Sequence, residues 1–234
     1  MSGAENINRK NYCDGMRDAI PIALGYLAVA FTLGIAARNA GVYALPATIM
    51  SLTNTTSAGE FAAITAIAGG VGYAELALMQ LVINLRYMLM SCALTQKLDP
   101  KFSIIHRFFI GFGVTDEIFG ISVARKGKLN PCYMYGAMSI AIPAWTIGTC
   151  LGVVLGNVLP GGVVSALSVA LYGMFLAIII PPARDNKVIR GLVIIAMAAS
   201  FLFTKIPVIK NISSGMKVII LTVVISGVAA VLFP

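Results

Sequence analysis

Val42-Tyr-Ala-Leu-Pro-Ala-Thr-Ile-Met50-Ser51-Leu-Thr-Asn54-Thr-Thr-Ser57-Ala-Gly59-Glu60-Phe61-Ala-Ala-Ile-Thr-Ala-Ile-Ala-Gly-Gly70 is apolar at both ends and polar in its centre. The flanks read as helix buried in hydrocarbon, and the centre, Ser51 to Glu60, interrupts it. No water is available in a bilayer core to satisfy freed backbone groups. Irregular chain at that depth is tolerated only where it is buried in protein or lines a water-filled cavity. The stretch therefore predicts a broken helix inside a membrane domain.

The rest of the chain supports that environment. Of 234 residues, 59% are hydrophobic and 11% charged, where a soluble domain runs near about 45–50% and about 25%. The mean hydropathy is +0.91. Seventeen Lys plus Arg against nine acids leave +8, an excess that basic loops facing an anionic cytoplasmic leaflet explain without nucleic acid. The 23 glycines suit membrane helices that approach closely or break. The expected fold is an all-α integral membrane protein, a polytopic helical bundle with six to eight membrane segments, some discontinuous or re-entrant.

Apolar runs bounded by charge give eight candidate segments: Ala19 to Ala36, Val42 to Gly70, Ala74 to Leu94, Phe102 to Val123, Cys132 to Val158, Val163 to Pro181, Val188 to Phe203 and Lys217 to Phe233. The fourth is interrupted like the second, by Gly111-Phe-Gly113-Val-Thr115-Asp116-Glu117. Basic loops at Lys97 to Arg107, Arg125 to Lys128 and Arg184 to Arg190 all favour the cytoplasm. Simple alternation cannot place the first two together. Re-entrance of segment two from outside and segment four from inside resolves this and leaves six full spans, at the cost of placing Lys205, Lys210 and Lys217 outside. The first run follows Arg9, Lys10 and Arg17 and is long enough to stay as a membrane helix rather than a cleaved signal. Residues 1–18 are thus expected as a cytoplasmic N-terminal segment and 19–234 as one transmembrane transport domain. A short internal echo, Ala30-Phe-Thr-Leu-Gly34 against Ala144-Trp-Thr-Ile-Gly148, is too brief to define a repeat.

Cys13, Cys92, Cys132 and Cys150 lack C-x-x-C spacing and read as reduced packing residues. His106, the lone histidine, reads as interfacial, with a proton role as its alternative. No metal or cofactor is expected. An ionisable side chain within a span costs at least about 2.5–3.5 kcal/mol on insertion scales, so each one marks a partner or a function. Glu60, Glu75, Arg86, Asp116 and Glu117 are such residues, with Asn54 and Asn84 as polar companions. Glu75 and Arg86 share one helical stripe, eleven residues apart. Either Arg86 is structural with Glu75 at the interface, or it pairs with an acid on another helix, Asp116 or Glu60. Asp116 and Glu117 point about 100° apart on a helix and so take different roles. Thr115 before two acids is also a good helix start. The turn into Glu60 offers free N–H groups to a carboxylate, while the acid attracts an ammonium; a zwitterion suits both.

Asp14-Gly-Met-Arg17-Asp18-Ala-Ile-Pro21, the Ser57-Ala-Gly59-Glu60-Phe61 turn, Asn84-Leu-Arg86-Tyr87 and Gly113-Val-Thr115-Asp116-Glu117-Ile-Phe119 together resemble the AzlC/YgaZ-type branched-chain amino acid exporters, the LIV-E family. The resemblance implies a large subunit that works with a small hydrophobic AzlD/YgaH-like membrane subunit. It also implies export of leucine, isoleucine, valine and similar amino acids across a prokaryotic plasma membrane, driven by the proton gradient. Family members usually carry Gly-x-Ser-Gln-Phe where this chain has Ser57-Ala-Gly59-Glu60-Phe61, and often His where it has Tyr87. Those departures bear on substrate range and coupling.

The expected function is secondary export of small apolar amino acids. Ser57, Ala58, Gly59, Glu60 and Phe61 and then Thr115, Asp116 and Glu117 form two turns flanking the substrate, with Asn84 and Arg86 between them. Asp116 is the first candidate for proton coupling and Glu60 the second. A channel or uniporter for a small polar solute is the alternative. An intramembrane enzyme lacks a G-x-S-x-G nucleophile context, a His partner and a metal-ligand cluster. With the native cysteines replaced, single cysteines near Thr56 and near Gly113 should both react with small aqueous thiol reagents; labelling at neither would return both segments to simple spans.

Overall fold

A computed structural model describes residues 2–156, 158, 162, 169, 176, 179–180, 183–205 and 214–232. The expected segment Val163 to Pro181 lies almost wholly outside the described residues. The described chain is all-α, with one isolated bridge between Leu98 and Leu129. Its helices are α1 (Ser2–Asn39), α2 (Ala44–Thr53), α3 (Ser57–Ala68), α4 (Tyr73–Lys97), α5 (Ile105–Phe112), α6 (Asp116–Ala124), α7 (Pro131–Leu155), α8 (Lys187–Lys205) and α9 (Ser214–Leu232). Three of them, spanning Glu5–Asn39, Tyr73–Lys97 and Pro131–Leu155, are long and apolar enough to cross a membrane. The helix expected from Ala19 begins at Ser2, so the polar N-terminal residues extend α1 beyond the apolar run to about 57 Å.

The bundle is organised on α1 and α7, which run parallel and touch through backbone at two levels. A Cβ on Gly15 would collide with the Tyr133 carbonyl, and one on Gly136 with the Tyr12 carbonyl. Further along, Gly34 meets the Thr149 carbonyl and Gly152 the Phe31 carbonyl. At each level a glycine fits against the residue three positions before the opposite glycine, so the pair is locally two-fold. Because lipid is as apolar as a leucine, membrane helices associate by such close packing rather than by escape from water. The short sequence echo is not in this register: Gly34 pairs with Gly152, and Gly148 rests on Leu27 and Ala30.

The helix α4 runs the other way. Its C-terminal Lys97 accepts from the Leu129 N–H at 2.9 Å, at the end where α7 begins. The chain between α1 and α4 therefore leaves and returns at one end of the bundle: α2 runs in to a break at Asn54–Thr56, and α3 runs back. The chain between α4 and α7 does the same from the opposite end, with α5 in, a break at Gly113–Thr115, and α6 out. The breaks meet where Thr55 Oγ1 donates to the Phe112 carbonyl at 3.3 Å. Both are re-entrant hairpins, as the distribution of basic residues suggested.

The hairpin ends are tied down. Lys97 Nζ holds the Val123 and Arg125 carbonyls at the close of α6. Arg125 pairs with Asp14 at 3.2 Å and Asp18 at 3.8 Å and lies 4.3 Å over the Tyr133 ring. At the far end, Glu75 Oε1 accepts from Met216 N at 3.1 Å, which fixes the start of α9 against the start of α4. Lys217 accordingly sits at the end opposite the Lys97 and Arg125 cluster.

Replacing Gly152 by Ala should force α1 and α7 apart and lower stability by about 1–3 kcal/mol. Gly25→Ala, on the same α1 but with nothing within 4 Å of its Cβ, should be tolerated. Thermal unfolding of the two variants in detergent checks the contrast, and equal midpoints would remove the glycine contact from the core.

Candidate functional site

Both breaks are built by the same device. Thr56 and Thr115 have extended backbone, with φ of −128° and −120°, and each hydroxyl accepts from the third N–H of the helix that follows, Gly59 at 3.4 Å and Ile118 at 3.3 Å. These caps satisfy one donor each and leave the remaining first-turn N–H groups facing the middle of the bundle. Since α3 and α6 leave the centre in opposite directions, two positive helix ends converge there.

Between them lies a small cavity of about 20 Å³, room for water but not for an amino acid. Thr55 and Ser57 from the first break line it, with Thr115, Asp116 and Glu117 from the second. Tyr26, Tyr87, Ile142 and Trp145 supply the walls. Asp116 takes the basic partner: Arg86 Nη1 stands 2.9 Å from Oδ2, with side chains 36% and 21% exposed. The second guanidinium amine of Arg86 donates to Tyr87 at 3.0 Å, while its Nε–H is buried without a partner among the described residues. Glu117 faces α1, where Tyr26 Oη lies 2.5 Å from its Oε2 and 2.6 Å from Thr115 Oγ1. With one phenol proton available, Tyr26 donates to the carboxylate and accepts from the threonine.

Glu60 lies in a separate cluster behind this wall. It is fully buried, accepts from Trp145 Nε1 at 2.8 Å, and hydrogen-bonds Ser51. Ser51 in turn lies 2.7 Å from Thr149 Oγ1. Among the described residues no cation pairs with it. Trp145 thus faces Glu60 with its N–H and the cavity with its ring, which also meets Tyr26 edge-on at a centroid distance of 5.3 Å.

Of the residues singled out in the sequence, Ser57, Thr115, Asp116 and Glu117 meet at the cavity. Arg86 reaches it through Asp116. Ala58 and Gly59 occupy the first turn of α3, where a Cβ on Gly59 would stand 2.7 Å from the Gln80 side chain. Phe61 packs against the buried cluster that includes Leu33, Ile64 and Trp145. Asn84 lies on α4 beside Gln80, to which its Nδ2 donates at 3.2 Å. Glu75, on the same stripe as Arg86, accepts from Met216 N at 3.1 Å, while Arg86 pairs with Asp116. His106 bonds Tyr135 at 2.6 Å, away from the centre. The four cysteines are free. Sequence reasoning passed over Tyr26, Ser51, Trp145 and Thr149. Tyr26 is the one polar side chain between Ile22 and Phe31, and Trp145 is the only tryptophan; each was a usable signal.

The AzlC protein family model matches residues 21–159. An uncharacterised membrane protein of Archaeoglobus fulgidus is 32% identical over 176 residues, 74% of this chain and 77% of its own length. The inner membrane protein YgaZ of Escherichia coli is 25% identical over 206 residues, 84% of each chain. An uncharacterised membrane protein of Helicobacter pylori is 25% identical over 152 residues, 63% of this chain and 65% of its own. No solved structure matches the chain. A family match across more than half of the sequence, joined by a 32% identical relative over three quarters of it, makes this chain a member of the AzlC family.

Proposed function

We propose that this member of a membrane transport family is a proton-coupled secondary transporter that exports branched-chain or similar small apolar amino acids. It works in a prokaryotic plasma membrane, N-terminus inside, with a small hydrophobic AzlD/YgaH-like subunit. The observation that carries this reading is the pair of Thr-capped helix starts converging on one cavity from opposite ends of the bundle. Their N–H groups suit the α-carboxylate of a zwitterion, and Glu117 and Asp116 suit its ammonium. Ile142 and Trp145 offer an apolar wall to a small side chain. At about 20 Å³ the cavity is too tight for the substrate, so loading requires the Thr55 to Phe112 contact to part. Displacing one hairpin admits solute from one side, and displacing the other admits it from the opposite side.

The proton is assigned by comparing the two carboxyls. Asp116 has a guanidinium at 2.9 Å, whereas among the described residues the partners of Glu60, at zero exposure, are hydroxyl and indole groups. Burying an ion without a counter-charge costs several kcal/mol, which makes Glu60 the preferred candidate for the proton carrier. Its chain of hydroxyls through Ser51 and Thr149 can run in either sense, which lets the proton leave without rebuilding the site. Trp145 then links that proton to the cavity wall. This moves the coupling role from Asp116, the sequence's first candidate, to Glu60, its second.

Counterflow of radiolabelled leucine and valine in proteoliposomes tests the reading. Glu60→Gln should keep exchange while losing accumulation driven by a pH gradient; uphill transport equal to the parent would return the role to Asp116. Arg86→Ala should lose at least about tenfold in exchange, since a stranded carboxylate costs above about 1.4 kcal/mol, with poor rescue by Arg86→Lys. Normal exchange by Arg86→Ala would take Arg86 out of the site.

A further inference from the structure

A second cavity, of about 150 Å³, adjoins the central one where α2 and α5 terminate; Thr53 and Asn54 from the first break and Gly111 and Phe112 from the second line it. No charged side chain is among its described lining. Irregular backbone at membrane depth is tolerated against protein or against water, and a polar space of this size holds water. The two cavities share a wall, since Thr55 and Tyr87 line both. Thr55 is the fixed part of it: its hydroxyl donates to the Phe112 carbonyl at 3.3 Å, so it moves only with a hairpin. Tyr87 stands half-buried on the continuous helix α4, and its ring can turn about its own side-chain bonds with the backbone in place. Arg86 holds it. The guanidinium carbon lies 4.9 Å from the ring centroid and one amine donates to the phenol oxygen at 3.0 Å, while the other pairs with Asp116 at 2.9 Å.

From this arrangement we propose that the second cavity is a water-filled antechamber to the central site and that Tyr87 is the gate between them, held shut by Arg86. The proposal rests on the reading of the central cavity as the transport site and adds to it a way through the wall. Parting of Thr55 from Phe112 frees one edge of that wall, and rotation of Tyr87 frees the other; both are needed before the space of about 20 Å³ joins the one of about 150 Å³. The gate is tied to the cargo through one ion pair. A solute ammonium at Asp116 competes with Arg86 for the carboxylate, and a guanidinium that loses its partner no longer fixes the phenol. Occupancy of the centre thereby loosens the ring. An empty centre keeps it closed, which stops water and ions from running through an unloaded carrier.

The test uses the full chain in detergent, with the native cysteines replaced and no amino acid present. Single cysteines at Ser57, on the central side, and at Asn54, on the antechamber side, are labelled with 2-aminoethyl methanethiosulfonate. With Tyr87 intact, Asn54→Cys should react quickly and Ser57→Cys slowly. Tyr87→Phe keeps the ring and removes the oxygen that Arg86 holds; for the loss of one hydrogen bond from a charged donor, the open population and the Ser57→Cys rate should rise about tenfold. Tyr87→Ala should raise that rate by at least as much, and neither variant should change the Asn54→Cys rate. Leu85→Ala, on the exposed side of α4, should leave Ser57→Cys slow. If Tyr87→Ala fails to fold, Tyr87→Phe carries the test alone. A slow Asn54→Cys, a Ser57→Cys rate unchanged by Tyr87→Phe, or an equal rise in Leu85→Ala each overturns the gate. The readout is labelling without substrate, so its failure is distinct from a failure of leucine counterflow.

Discussion

Everything else in this molecule hangs on the backbone contact between α1 and α7. Glycines at two levels let two long helices lie against each other with carbonyls where side chains would normally stand. That contact does more than stabilise. With α1 and α7 parallel and α4 antiparallel, each link between them begins and ends at one end of the bundle, so a link that enters the bundle has to turn back, and both do. The hairpins reach the midplane because the helices they lean on form a rigid wall there.

Polarity then follows from geometry. A hairpin broken at its tip presents the C-terminus of one half-helix and the N-terminus of the next. With two such tips in contact, the positive ends gather on one side of the Thr55 to Phe112 link and the negative ends on the other. The side chains fall in line, since Asp116 and Glu117 lie at a positive end. Glu60 stands apart from both, in a cluster whose donors are all neutral.

The breaks were legible in the sequence because a polar run at membrane depth has few physical explanations, and Ser57, Thr115, Asp116 and Glu117 do meet. Re-entrance was legible from Lys97 and Arg125, whose loops could not otherwise share a side. The division of labour was not legible. Periodicity places Glu75 and Arg86 on one stripe, yet their partners come from α9 and α6, and nothing local specifies which distant helix arrives. Tyr26 and Trp145 stand out in the sequence as isolated residues, but their roles do not, as an aromatic in an apolar run looks like packing until its polar atom is seen against Glu117 or Glu60. The start of α1 at Ser2 escaped because an apolar run marks where a helix is buried, not where it begins.

The glycine seam also has a consequence for biogenesis. Gly15 and Gly136 are 121 residues apart in the chain, a separation that takes roughly 6–24 s to synthesise at about 5–20 residues per second. Until α7 emerges, α1 has no partner for its seam, and both hairpins enter the bilayer with no wall to lean on. Arg86 waits without Asp116 until the second hairpin is made, and Glu60 waits without Trp145 longer still. The translocon, or lipid headgroups drawn inward, must shelter these groups during that interval, so the order of insertion constrains this fold as firmly as its final packing.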